Sequence, residues 1–135
     1  MPIIEWDESM AVGVEQVDGQ HQELVRLINL VFDAYQAGGD RPALEKVVRH
    51  LCDYTVEHFA LEEGLMDRHA YPGYDKHLSE HMDCSMKAID FFTAYIEGQD
   101  TLTADLLDFL VGWFRSHTTG TDRPLGKYLN SRGVF

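Results

Sequence analysis

Apolar residues recur along this chain with the 3.6-residue period of α-helices in four separate stretches. Between 19 and 37, Leu24, Val25, Ile28, Val31, Phe32 and Tyr35 fall on one face, with Asp18 placed to cap the start and Gly38-Gly39 to stop the helix. From 41 to 66, the inner side is traced by Leu44, Val47, Val48, Leu51, Tyr54, Thr55 and Phe59. Asp40 is the expected cap there, and Pro42 sits in the first turn, where a missing N–H does no harm. A third stripe, over 71–97, contains Cys84, Ser85, Ala88, Phe91, Phe92 and Tyr95. A fourth, over 103–117, contains Leu106, Leu107, Phe109, Leu110, Trp113 and Phe114. Strand-like alternation of β-branched residues is absent. Four helices of ~20 residues, each ~30 Å long and joined by short connections, predict an all-α, up-down-up-down four-helix bundle. Residues 1–18 read as an extended N-terminal arm, packed onto the bundle by Ile3, Ile4 and Trp6. Residues 118–135 read as a C-terminal segment with a last short turn at Leu125 to Leu129. The length of 135 residues fits one domain, 1–135.

The apolar stripes carry polar residues that do not belong in a core. His21 continues the first stripe. His58 and Glu62 form HxxxE on the second, and His77 and His81 form HxxxH on the third. Residues four apart on a helix are only ~40° apart around it, so each pair can aim two donors at one volume. His117 and Asp122 are five apart, which on an ideal helix separates them by ~140°. For both to reach one site the helix must be widened or broken between them. Gly120 and Pro124 favour such a disruption, and π-bulges concentrate at functional sites. Unpaired, each such group in a core would cost several kcal/mol, a cost that a metal removes. Five imidazoles and two carboxylates exceed the roughly six ligands of one ion, which suggests two ions bridged by carboxylates. Imidazole-rich sites suit Fe, Zn, Cu or Ni, and carboxylates with open positions favour iron among these.

Composition narrows the field. Lys and Arg number 11 against 23 Asp and Glu, a formal charge of -12. That excludes the basic footprint of a nucleic-acid binder and disfavours an anionic membrane surface. No apolar run approaches the ~20 residues of a membrane span, and the N-terminus has neither a basic start nor an apolar run typical of a signal peptide. Cys52 and Cys84 lack CxxC spacing; free thiols in a reducing cytoplasm are expected. No helix shows a long apolar stripe for oligomerisation, so a monomer is expected. Of the two remaining histidines, His50 precedes His58 by eight residues, ~12 Å along a helix, too far to share a metal. His50 and His69 are both expected at the surface.

The order His, HxxxE, HxxxH, HxxxxD resembles the ligand pattern of the hemerythrins. Ile4-Glu5-Trp6 followed by Val12-Gly13-Val14-Glu15-Gln16-Val17-Asp18-Gly19-Gln20-His21 is similar to the N-terminal stretch of the bacterial branch, the bacteriohemerythrins. The resemblance covers nearly the whole chain. It implies two non-haem iron ions, joined by an oxo or hydroxo bridge, that bind O2 reversibly. By position, His77, His81 and His117 would hold one iron and His21 and His58 the other, with Glu62 and Asp122 bridging. The second iron would keep an open position for O2. The implied role is an oxygen carrier, store or delivery protein rather than an enzyme, with an O2-consuming enzyme as a partner. O2 or redox sensing and iron storage or detoxification are the alternatives at the same site. Leu24, Phe59, Trp113 and Phe114 lie within one turn of ligands and are the expected O2 pocket. Phe114 departs from the family, where a smaller aliphatic residue is common. A ferritin-like oxidase is less favoured, because such sites use four carboxylates and two histidines in ExxH spacing. A zinc hydrolase is less favoured because Leu78 stands where the HEXXH base would be.

Overall fold

Four long helices carry the fold: α1 (Glu15–Gln36), α2 (Arg41–Arg68), α3 (Tyr74–Ile96) and α4 (Leu102–His117). One π turn (Thr118–Asp122) and a last helix, α5 (Arg123–Ser131), follow. The computed structural model describes residues 2–38, 40–98 and 102–135, without the side chains of 102 and 103. Gly39 therefore lies outside the described residues, as do the three residues before α4. Consecutive helices pack side by side, and α4 closes the ring against α1, giving the expected four-helix bundle.

The N-terminal boundary differs from the expectation. Val14 and Val17 are buried and extend the α1 stripe backwards at i, i+3 spacing, so the helix starts at Glu15. Asp18 then sits inside the helix and does not cap it. Its carboxylate reaches back to accept hydrogen bonds from the Val12 N–H (2.8 Å) and the Gly13 N–H (3.2 Å). The arm is correspondingly shorter, and it contains a 3-10 turn at Glu8–Met10 that buries Met10. Asn29 holds its beginning, accepting from the Ile3 and Ile4 N–H groups and donating to the Ile4 carbonyl at 2.7 Å. Ile4 is fully buried, and Ile3 and Trp6 pack against the core partly buried.

The other boundaries follow local chemistry. Gly38 takes a left-handed φ of 65° just past α1. Asp40 caps α2 by accepting from the Ala43 N–H at 2.8 Å, with Pro42 in the first turn. The helix runs on to Arg68, two residues past the expected end. Pro72 and Gly73 stay in the turn, so α3 starts at Tyr74 rather than 71. The Tyr128 hydroxyl, from α5, donates to the His69 carbonyl at 2.6 Å and pins that turn. The expected short turn near the C-terminus is a longer helix, α5, whose buried Leu125 and Leu129 face the arm.

The apolar interior is divided. The larger core joins Leu24, Ile28, Val31, Leu51, Leu107 and Phe114 with their neighbours. A smaller one joins Val12, Val14, Val17, Leu65, Met66, Leu125 and Leu129. The polar residues of the four stripes lie between the two. On α1, for example, His21 separates Val17 of the small core from Leu24 of the large one.

Gly126 is the tightest contact of the small core. A Cβ built there would meet the Val12 carbonyl oxygen at 2.0 Å, a clash with backbone rather than with a flexible side chain. Gly126→Ala is therefore expected to destabilise the protein by about 1–3 kcal/mol, read as a lower midpoint in urea denaturation. An unchanged midpoint would show that the arm does not lie against α5.

Candidate metal centre

All seven polar residues predicted from the stripes converge in the layer between the two cores, and each is 3% exposed or less. The π turn makes this possible. Its i→i+5 bonding widens the helix by one residue, which brings His117 and Asp122 onto the same side. The expected disruption between them is thus present. Pro124 follows directly; it lacks an N–H, and its ring crowds the carbonyl four residues back.

The donors fall into two overlapping groups. Glu62, His77, His81, His117 and Asp122 present ligand atoms all within 4.8 Å of one another, and so do His21, His58, Glu62 and Asp122. The two carboxylates belong to both. Asp122 Oδ1 lies 2.9 Å from His77 Nε2 and 3.0 Å from His117 Nε2, while its Oδ2 lies 3.1 Å from His21 Nε2. Glu62 Oε1 lies 3.0 Å from His81 Nε2 and 3.5 Å from His58 Nε2.

Hydrogen bonds account for only part of this packing: His81 Nε2 lies 3.0 Å from Glu62 Oε1 and 3.2 Å from His117 Nε2. His77 Nε2, Glu62 Oε2 and both Asp122 carboxylate oxygens are buried without a hydrogen-bond partner among the described residues. His21 and His58 point their Nε2 atoms at each other across 3.0 Å. The buried polar atoms left without a partner in this cluster are what a cation between them would satisfy. The donor set of imidazole nitrogens and carboxylate oxygens fits a transition metal.

The electrostatics ask for the same positive charge. Burial pushes the Asp122 carboxyl up, but His117, His21 and His77 outweigh it and hold the group well below the usual carboxylate range. Glu62 is also lowered, against burial and the neighbouring Asp122 charge, by His58, His77 and His81. Burial depresses His77, yet Asp122 and Glu62 raise it to about 9, whereas burial drives His58 down to about 4. Two carboxylates thus remain anionic inside the bundle and draw a cation towards them.

Two of the outward nitrogens, on His58 and His117, have hydrogen-bond partners that the sequence did not reveal, while Nδ1 of His21, His77 and His81 has none among the described residues. His58 Nδ1 lies 2.8 Å from Gln20 Oε1, and His81 Nδ1 lies 3.4 Å from Glu63 Oε2. Glu80 Oε1 accepts from His117 Nδ1 at 3.2 Å, and the same carboxylate accepts from the Thr121 hydroxyl at 2.8 and 2.9 Å. An acceptor on Nδ1 fixes the tautomer that turns the Nε2 lone pair inward. The signal was present but indirect. Gln20, Glu63 and Glu80 are each sequence neighbours of one ligand, yet each serves a histidine on a different helix.

A small cavity adjoins the layer. Its volume is about 20 Å³, room for roughly one water-sized molecule. Leu24, Phe59, Trp113 and Phe114 all line it, together with Ile28, Leu51, Leu110 and Cys84. It touches His21 and His58, but of the three other histidines only His117. Phe59 stacks on His81 at 3.9 Å between ring centroids, and Trp113 stacks on His117 at 4.3 Å. Burial pushes the Cys84 thiol up to about 12, so it stays neutral and forms apolar wall. Both cysteines are free. His50 is exposed and His69 half-buried; neither joins the layer.

Known proteins resemble this chain in sequence and in fold. The model of the hemerythrin HHE cation binding domain matches residues 12–129. A bacteriohemerythrin of Pseudomonas paraeruginosa is 31% identical over 117 residues, covering 87% of this chain and 75% of that one. One from Ralstonia nicotianae is 29% identical over 133 residues, covering 98% and 93%. Among solved structures, wild-type hemerythrin superposes with a TM-score of 0.87 at 26% identity, over 94% of this chain and 98% of that chain. A hemerythrin mutant with a leucine changed to alanine gives a TM-score of 0.89 at 26% identity, over 96% and 98%.

Glu80 supplies a test of the outer partners. Glu80→Ala removes the acceptor shared by His117 and Thr121 and is expected to weaken metal binding by about 10–100-fold, measured by competition with a chelator. Glu23→Ala, which breaks only an exposed pair with Arg26, should leave it unchanged. Equal affinities for the two variants would count against a positioning role.

Proposed function

The chain belongs to the hemerythrin family, and from that premise we propose that it binds O2 reversibly at two non-haem iron ions in the layer between its cores. His77, His81 and His117 would hold one ion and His21 and His58 the other, with Glu62 and Asp122 shared between them. Bound there, iron would supply the redox chemistry of reversible O2 binding. One observation carries the reading: the two donor groups share both carboxylates, and the cavity abuts the group with fewer histidines. That group has room for a ligand that the protein does not supply.

The chain's own residues provide what reversibility needs. Leu24, Ile28, Leu51, Leu110 and Phe114 wall the cavity with hydrocarbon and keep water and acids away from the bound gas. Phe59 and Trp113 stack on two of the histidines and hold the rings in place. Gln20 and Glu80, as outer acceptors, keep Nε2 of His58 and His117 turned inward. Apart from the ligands, no carboxylic acid or ammonium group lines the cavity, whose other polar atoms are the hydroxyls of Thr55 and Thr118, the neutral Cys84 thiol and the Trp113 indole. A dry wall without an acid suits a carrier, store or delivery protein better than an oxidase, which must move protons. Among the described residues no helix is long and apolar enough to cross a membrane. We place the protein in the cytoplasm as a monomer that supplies O2 to a consuming enzyme.

The decisive experiment loads the protein with iron, reduces it without air, admits O2 and then removes it. Two iron ions per chain and a colour that appears and fades with O2 are expected. One-way oxidation would replace the carrier reading with a sensor or an oxidase, and a colourless zinc protein would end it. His77→Ala should bring the iron content well below that of the parent chain. Leu24→Asp puts a carboxyl into the cavity wall and should speed oxidation of the O2-loaded protein several-fold, as followed by loss of its absorption. An unchanged rate would remove Leu24 from the pocket.

A further inference from the structure

The outer side of the bundle between α2 and α3 is not finished as a solvent face. Met82, Met86, Ile89 and Ile96 run down α3 at spacings of four, three and seven, and Met86 and Ile89 are both 63% exposed. Val56 stands opposite on α2, also 63% exposed. Between the helices lies an open groove of about 620 Å³ lined by Val56, Phe59, Ala60, Met82, Ser85 and Met86 together with Glu63 and the candidate ligand His81. A second hollow of about 250 Å³ continues it past Val56 and Ser85 to Cys52, Ala88, Ile89 and Phe92. Large apolar side chains gathered along one groove mark an interaction site, and methionines adapt to the shape of what binds.

Charge identifies the occupant. An exposed acid follows most of these apolar residues in sequence: Glu57 after Val56, Asp83 after Met82, Asp90 after Ile89 and Glu97 after Ile96. One residue further along a helix is ~100° further round, so these carboxylates flank the apolar strip. Asp53 adds another at the groove. Lys87 is the exception after Met86, and Arg49 is engaged by Glu45 at 3.0 Å and by the Phe92 ring. We propose that this groove docks an amphipathic helix of another protein, apolar on one side and flanked by lysine or arginine. A second copy of this chain would set the same carboxylates against their own images across a two-fold axis. The groove also reaches the candidate metal centre. Phe59, which lines it, is the ring stacked on His81, so a docked helix covers that flank of the layer.

The test uses the whole protein and a synthetic 18-residue helix of leucine and lysine, amphipathic by design, titrated by calorimetry. Binding that weakens as salt is raised is expected, and the Met86→Ser/Ile89→Ser double variant should weaken it about tenfold. Leu30→Ser, which trims an exposed leucine on α1, should not. Both changed residues of the double variant are exposed, and circular dichroism checks that the variant is folded. The matching peptide of leucine and glutamate should fail to bind. No binding of the lysine peptide, binding untouched by the double variant, or equal binding of the glutamate peptide would each overturn the proposal. So would a dimer of the free protein in sedimentation that the double variant abolishes, because the groove would then belong to a second copy.

Discussion

The molecule is organised around the cost of burying charge. Two carboxylates and five imidazoles occupy a layer with 3% exposure or less, between two bodies of hydrocarbon. Apolar packing alone would expel such a layer, since an isolated buried charge costs far more than a bundle of this size can spare. The layer persists because its members face one another from every helix and share a need for positive charge. The rest of the design serves it. The larger core holds the helices apart at a fixed distance, the small core and the arm seal the other end, and the stacked rings of Phe59 and Trp113 keep two of the imidazoles from turning.

The π turn shows how a local change of helix winding serves that layer. A regular helix would carry His117 inward and leave Asp122 on another face. Adding one residue to the turn returns Asp122 to the interior, where its two oxygens approach histidines from α1, α3 and the end of α4. Glu80 then ties the turn to α3 through His117 and Thr121. The irregular stretch is therefore tied to α3 at two points.

Much of this could be read from the residue order because the anomaly was on the apolar side. His21, His58, His77 and His81 stand on stripes that otherwise read as core, and helical spacing places them side by side. The break between His117 and Asp122 followed from the same geometry. What stayed hidden depended on tertiary neighbours. Asp18 has the chemistry of a cap, but Val14 and Val17 had hydrocarbon to bury, and the helix began earlier. Gln20, Glu63 and Glu80 serve histidines on other helices, and no period within one helix reports that. The exposed methionines of α3 escaped notice because they form a second stripe behind the histidine face.

The layer also has a topological meaning. His21 and Asp122 lie at nearly opposite ends of the sequence, with donors from α2 and α3 between them, and meet at 3.1 Å. An ion held by those donors ties together stretches of chain about 100 residues apart, the long-loop closure for which a covalent bridge reduces unfolded-chain entropy most. Both cysteines here are free. The centre itself can thus serve as the chain's removable cross-link, put in and taken out with the metal, and the bound ion's free energy becomes part of the free energy of folding.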